Sequence, residues 1–218
     1  MITQATQDKF YRSFFVILLL VLVSWWWLSS IATANEPSTL PDQIAKRVAD
    51  FPVIYADFLQ TKAVPALKRP ITTRGKLIYS KQFGVWWSIE QPYQISYLLA
   101  ENKIVEIDRQ GNKKTRSTQE IPSLAQVSRV FRSLLRADLK VLEDYFTPQM
   151  KGTEQHWQLQ LLPKQQLTSI FKQVSAEGGQ FIELIQLDEA NGDVTTIRFT
   201  HSRGAQALTE QETRLMSQ

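Results

Sequence analysis

Apolar and polar residues alternate along two neighbouring stretches of the chain. The segment GKLIYSKQFGVWWSIEQP, from Gly75 to Pro92, contains two short runs in which apolar side chains recur at every second position. These side chains are Leu77, Tyr79, Val85, Trp87 and Ile89. A period of two is that of a β-strand, so the pattern predicts that all five point to one face of two adjacent strands.

The same kind of segment, short and rich in aromatic or β-branched residues, continues from residue 53 to about residue 122. The predicted strands are Val53 to Gln60, Gly75 to Ser80, Gly84 to Glu90, Tyr93 to Ala100 and Ile104 to Asp108. Further strands are predicted at Trp157 to Leu162, Phe181 to Asp188 and Val194 to Thr200, the last two joined at Asn191-Gly192. Connections this short make neighbouring strands antiparallel.

Helical spacing interrupts the strands. A helix is predicted to open at Pro41-Asp42, and a second helical region covers about residues 123–146, where Ser123 and Gln126 resemble a capping box and Asp138 can cap a second short helix. Leu167 to Val174 also has helical spacing and predicts one or two turns. The tail, residues 203–218, is polar and is expected to be loosely held.

These elements predict an α+β fold. A sheet of about nine or ten antiparallel strands must curve strongly or pack on something to hide its apolar face. The helices are the available cover.

The first 34 residues have the features of an export signal. Lys9 and Arg12 precede an apolar run from Phe14 to Leu28, and Ala32 and Ala34 form an A-x-A site. We interpret residues 1–34 as a signal peptide cleaved after Ala34. The alternative is an uncleaved membrane anchor, although fifteen apolar residues are few for a membrane span.

The composition gives no sign of an active site. The chain has no cysteine and only two histidines, His156 and His201, which lack metal-ligand spacing. No nucleophile elbow, phosphate-binding loop or dinucleotide motif is present. We therefore predict no catalytic residue, no metal and no cofactor, and thus a protein that is not an enzyme. A net charge of +4 spread along the chain also argues against a nucleic-acid partner.

Several short motifs occur in an order that resembles a known family. Ala56-Asp57-Phe58-Leu59-Gln60, then Gly75-Lys76-Leu77, then Trp87 and Gln91-Pro92 resemble the A-x-F-x-Q, G-x-L and W-x-x-x-x-P motifs of the LolA outer-membrane lipoprotein carriers. The segment FIELIQLDEANGDVTTIRF is similar to the last long hairpin of that family. The resemblance covers nearly all of the chain after the signal.

The resemblance implies a strongly curved antiparallel sheet that forms an unclosed β-barrel over residues 35–202, covered by a helical lid. It also implies a periplasmic carrier that takes acyl chains from an inner-membrane donor complex to an outer-membrane acceptor, with transient membrane contact, and we expect a monomer. Expected cavity residues are Phe58, Leu77, Tyr79, Val85, Trp87, Ile89 and Tyr97. Expected lid residues are Leu124, Val127, Phe131, Leu134 and Leu135.

Two features depart from the family pattern. Lys81-Gln82 stands where the carriers have an arginine before a proline, and the helical insertion carries a basic stripe of Arg129, Arg132, Arg136 and Lys140. That stripe is either a solvated helix face or a docking site for anionic headgroups or an acidic partner. The departures indicate a divergent branch that resembles proteins associated with export of unusual acyl or glycolipid products. The cargo is thus a lipoprotein or a (glyco)lipid, and a periplasmic enzyme or an envelope adaptor are the alternative functions.

Overall fold

In the computed structural model, which describes residues 39–119 and 122–217, eleven strands form one antiparallel sheet. The side chains of residues 122–125 lie outside the described part. The strands are β1 (Val53–Ala63), β2 (Ile71–Ser80), β3 (Gly84–Gln91), β4 (Ile95–Leu99), β5 (Lys103–Asp108), β6 (Lys113–Ser117), β7 (Phe146–Gly152), β8 (Trp157–Pro163), β9 (Phe171–Gly178), β10 (Ile182–Glu189) and β11 (Val194–Ala205).

The strand order is β6-β5-β4-β3-β2-β1-β11-β10-β9-β8-β7. Two meanders, β1 to β6 and β7 to β11, are joined side by side by the long pairing of β1 with β11, in which Phe58 is opposite Phe199. Strands β6 and β7 are the two free edges, so the sheet curves without closing into a barrel. The predicted fold class, α+β with a curved and unclosed antiparallel sheet, is confirmed.

Four helices accompany the sheet in the described residues: α1 (Leu40–Ala49), α2 (Pro122–Leu135), α3 (Leu139–Glu143) and α4 (Glu210–Met216). Thr39 caps α1 and forms a capping box with Asp42. The Asp138 side chain caps α3 by accepting from the backbone N–H of Val141, as predicted. Helix α2 begins at Pro122, a residue favoured in the first helical turn, and so starts one residue before the predicted Ser123 cap.

The predicted alternation of β2 and β3 is confirmed. Leu77 pairs with Trp87 and Tyr79 with Val85, and all four side chains are buried in one apolar cluster together with Ile89. Residues Val130, Leu134 and Leu135 of α2 belong to the same cluster. Helix α2 therefore packs on this face of the sheet, which we call the inner face.

A smaller apolar cluster lies on the other face of the sheet. Trp86, Leu98 and Val105 of β3, β4 and β5 pack there against Met216 of α4, which is 2% exposed. The expectation that the tail from residue 203 is loosely held is therefore wrong, because Met216 in this tail is buried. Strand β11 runs on to Ala205, and a capping box of Thr209 and Glu212 starts α4, whose few apolar side chains cover Trp86.

Two other predictions of secondary structure are wrong at least in part, and β6 was missed. Phe146 begins β7 instead of ending the helical region. The predicted turns at Leu167 are present, since the N–H of Phe171 donates to the Leu167 carbonyl, but they end there and Phe171 to Gly178 form β9. Pairing with β8 and β10 on both sides overrides the helical spacing there. Strand β6 was not predicted because its sequence, KKTRS, is polar, as suits an exposed edge strand.

The predicted signal segment, residues 1–34, lies outside the described residues. Within residues 39–119 and 122–217, no helix has both the length and the apolar character that a membrane span requires.

Candidate functional site

An aromatic stack connects the inner face of the sheet to α2. The Trp87 ring lies on the Phe58 ring with centroids 3.7 Å apart, and Gly75, opposite Phe58 on β2, leaves room for that ring. On its other sides Trp87 meets Phe131 of α2 and Phe199 of β11 edge to face, at 5.4 Å and 6.4 Å. Trp87 is thus a packing centre shared by sheet and helix.

An open, mainly apolar cavity of about 310 Å³ lies beside this stack, between α2 and the inner face. This volume is at the lower end of the range typical of ligand sites. We call it the apolar cavity. It is lined by Gln60, Trp87, Tyr97, Leu99, Ile104, Glu106, Lys114, Arg116, Val127, Ser128, Val130, Phe131, Leu134, Phe171, Leu187 and Ile197.

The structure brings some of the expected cavity and lid residues together here and places others elsewhere. Trp87 and Tyr97 of the seven expected cavity residues line the apolar cavity, and so do Val127, Phe131 and Leu134 of the lid set. The other expected cavity residues, Phe58, Leu77, Tyr79, Val85 and Ile89, are buried in the packed core next to it. Leu135 is in that core too, and the side chain of Leu124 lies outside the described part.

One buried hydroxyl in the cavity wall has no hydrogen-bond partner. Ser128 is 3% exposed, and its Oγ makes no hydrogen bond within the described structure. A buried polar group without a partner is unfavourable, so this hydroxyl lowers the stability of the cavity wall. Ser128 was missed in the sequence because a serine on an amphipathic helix gives no distinguishing signal.

Charged side chains form part of the cavity rim. Glu106 of β5 and Lys114 of β6 pair across the two strands, and Arg116 follows on β6. This rim could not be predicted because β6 itself was not.

A polar network lies on β1 and the hairpin of β10 and β11. The Lys62 ammonium contacts the Glu189 and Asp193 carboxylates at 2.8 and 2.9 Å, and the Thr195 hydroxyl donates to Glu189 at 3.0 Å. Hydrogen bonding to Glu189 raises the pKa of Lys62, and the Lys62 ammonium lowers the pKa of the Asp193 carboxyl. All four charged or hydroxyl groups are therefore mutually satisfied.

A second cavity, of about 870 Å³, lies on the opposite side of α2. Three residues of the expected docking stripe, Arg129, Arg132 and Arg136, line it, whereas Lys140 lies in another depression beside Asp42 of α1. Burial, with repulsion from the two other arginines, lowers the pKa of Arg132. Burial likewise raises the pKa of Tyr79, which borders the same cavity.

Neither cavity has an arrangement typical of catalysis. Across the described parts of the chain, no group of three or more His, Asp or Glu side chains is placed to hold a metal ion. His201 is 2.9 Å from the Asp57 carboxylate, but His201 is exposed and neither residue lines the apolar cavity. The mainly apolar lining of the apolar cavity is suited to contact with an apolar group.

A family model described as outer membrane lipoprotein carrier protein LolA-like matches residues 33–211. No curated protein matches the sequence. Similar solved structures include a LolA superfamily protein from Nitrosomonas europaea, 11% identical, which covers 80% of this chain and 97% of that chain with a TM-score of 0.45. A putative outer membrane lipoprotein-sorting protein domain from Vibrio parahaemolyticus is 9% identical. The match covers 81% of this chain and 97% of that chain, with a TM-score of 0.43. The MucA/MucB complex from Pseudomonas aeruginosa contains a chain that is 10% identical. The match covers 78% of this chain and 57% of that chain, with a TM-score of 0.36.

Proposed function

Because the chain belongs to the LolA-like family of outer membrane lipoprotein carrier proteins, we propose that its apolar cavity shelters acyl chains of a lipoprotein or (glyco)lipid on their way from the inner to the outer membrane. The protein acts in the periplasm, to which the signal at residues 1–34 exports it. It receives its cargo from an inner-membrane donor and releases it to an outer-membrane acceptor, as a monomer that contacts each membrane transiently.

The apolar lining of the cavity is the observation that carries the proposal. Trp87, Tyr97, Phe131, Phe171 and Ile197 provide aromatic and aliphatic walls without directional chemistry. Each methylene removed from water contributes roughly 0.8 kcal/mol, so sheltering even half an acyl chain offsets much of its exposure to water. Such walls bind hydrocarbon irrespective of headgroup, which a carrier requires because it must also release its cargo.

Helix α2 serves as a lid in this mechanism. It rests on the inner face through Phe131, Leu134 and Leu135. Five apolar side chains beneath it, those of Phe58, Leu77, Tyr79, Val85 and Ile89, are buried while α2 stays in place. Moving α2 away from the sheet would extend the apolar cavity onto this surface and make room for a longer chain.

Two other functions give different expectations for the same cavity. An enzyme would have several polar groups converging on one point, and an adaptor protein would have a closed core with no cavity. Apolar side chains make up most of the cavity lining, with Gln60, Ser128 and the charged residues at the rim as the minority, and this composition favours the carrier.

Isolation of the natural cargo tests the proposal. The full chain should be produced with its own N-terminal segment in an envelope-forming bacterium, purified without detergent, and analysed by native mass spectrometry and by lipid extraction. We expect a stoichiometric acylated molecule. A protein that is folded but free of any acyl compound, even after incubation with inner-membrane vesicles, would contradict the proposal.

A further inference from the structure

The second cavity, on the side of α2 that faces away from the apolar cavity, is distinguished by clustered guanidinium groups. Arg129 and Arg132 project from α2, and Arg136 follows its last residue, so the spacing of three and four places them on one side. Lys81 and Lys103, in and beside two strand connections, line the same cavity. We call it the basic cavity.

The arginines have few partners of opposite charge. No ion pair joins any of the three to a carboxylate in the described structure. Arg129 donates to the Tyr145 hydroxyl at 3.0 Å, and the Nε of Arg132 is buried without any hydrogen-bond partner. Glu101 attracts Arg132 electrostatically, but at a distance beyond an ion pair. The basic cavity therefore keeps an excess of unmatched donors.

Helix stability explains only part of this arrangement. Cations in the last turn of a helix interact favourably with its dipole, and this accounts for the positions of Arg132 and Arg136. It does not account for Arg129, which lies further from the helix end, or for the burial of an unpaired Nε. Three guanidinium groups close enough to repel one another are unfavourable until an anion lies between them.

We propose that the basic cavity binds a phosphate ester, whose oxyanion lies among the guanidinium groups of Arg129, Arg132 and Arg136. A guanidinium fork matches phosphate oxygens with two parallel hydrogen bonds, and charge-assisted bonds of this kind are the strong ones. A cavity of about 870 Å³ is much larger than a phosphate group, so the ester's organic part occupies the remaining space, near Asp138 and Asp144. These carboxylates can accept hydrogen bonds from hydroxyl groups of a glycerol or sugar.

This site is distinct from the acyl site, because no residue lines both cavities and the three arginines lie on the side of α2 that faces away from the apolar cavity. The phosphate ester is either the headgroup of an anionic lipid or a soluble molecule. Both present the same chemistry to the arginines.

Calorimetry with two ligands tests the proposal and distinguishes the sources. The full chain, purified from the cell envelope, is titrated with glycerol 3-phosphate and, separately, with phosphatidylcholine vesicles with and without phosphatidylglycerol. Binding to both ligands indicates a site that takes either source, binding only to the phosphatidylglycerol vesicles indicates a lipid headgroup, and binding only to glycerol 3-phosphate indicates a soluble ester. Binding to neither overturns the proposal.

Three variants test the residues. Arg132→Gln should lower the affinity at least about tenfold, and Arg132→Lys, which lacks the fork, should restore it only in part. Glu101→Gln should raise it, because it removes the anion that competes for Arg132. Arg198→Gln on an exposed position of β11 is the matched control for loss of one positive charge and should have no effect.

Two further outcomes decide the proposal. Equal losses in Arg132→Gln and Arg198→Gln would mean attraction to net charge alone and would overturn it, as would an unchanged affinity in Glu101→Gln. Circular dichroism checks folding, and if Arg132→Gln does not fold, the increase in Glu101→Gln still decides. An acyl probe should bind to all four variants as to the unmodified chain, so failure of the carrier proposal is visible separately.

Discussion

The Phe131 ring of α2 meets the Trp87 ring of β3 edge to face, with their centroids 5.4 Å apart and their planes at 78°. Trp87 is at the same time stacked on Phe58 of β1. Trp87 therefore connects α2 to two strands of the sheet. The rings of Phe131 and Trp87 both line the apolar cavity. Whatever separates these rings also opens the cavity.

Replacing Phe131 with glutamate should abolish acyl binding. The substitution places a carboxylate against the cavity wall, and burying an unpaired charge costs several kcal/mol. The affinity for a fluorescent fatty acid should fall by about 100-fold or more. Phe131→Leu, which keeps the wall apolar, should retain most of the binding. Equal affinities of the glutamate and leucine variants would show that the probe binds elsewhere.

Replacing Ser128 with alanine should stabilise the empty protein. The substitution removes a buried hydroxyl that has no partner and adds a residue with higher helix propensity, so the free energy of unfolding should rise by about 1 kcal/mol. Thermal unfolding should shift upward by roughly 2–4 °C.

Ser133→Ala on the same helix is the control for Ser128. Its side chain borders the basic cavity and its hydroxyl is not among the buried unpartnered oxygens, so it should gain only the smaller propensity contribution. Loss of stability in Ser128→Ala would indicate that this hydroxyl has a partner in solution.

The inner face could be predicted from sequence because β2 and β3 alternate strictly, and one parity decides the orientation of Leu77, Tyr79 and Trp87. The cavity could not. An alternating apolar strand fits a filled core and an open groove equally well, and the difference depends on where α2 lies. Trp86 illustrates the limit, since its burial comes from Met216, a residue 130 positions later in a polar tail.

Replacing Met216 with alanine should destabilise the fold without affecting the cargo. Met216 is 2% exposed and fills the cluster around Trp86, so the free energy of unfolding should fall by about 2–4 kcal/mol. Gln211→Ala on the exposed side of α4 should change little. Acyl-probe affinity measured at a temperature where both variants are folded should equal that of the unmodified chain. A reduced affinity of Met216→Ala for the acyl probe would mean that α4 contributes to the apolar cavity.

Replacing Asp193 with asparagine should lower stability at neutral pH but not at acid pH. The Lys62 ammonium holds the pKa of Asp193 below its usual value, so this carboxylate contributes to stability above about pH 4 and loses that contribution as the pH falls through its folded-state pKa. Thermal unfolding curves of the two proteins should therefore differ at pH 7 and converge toward pH 2. In a Lys62→Met background the difference at pH 7 should shrink. A difference that grows on acidification would contradict this assignment.

Quenching of tryptophan fluorescence by a brominated fatty acid tests most directly whether acyl chains occupy the apolar cavity. Bromine quenches only tryptophans that it contacts, and Trp86 and Trp87 are neighbours in sequence on opposite faces of the sheet. The exported protein should be quenched saturably, Trp86→Phe should keep that quenching, and Trp87→Phe should lose most of it. Absence of saturable quenching in the folded protein, or its loss in Trp86→Phe but not in Trp87→Phe, would contradict the account.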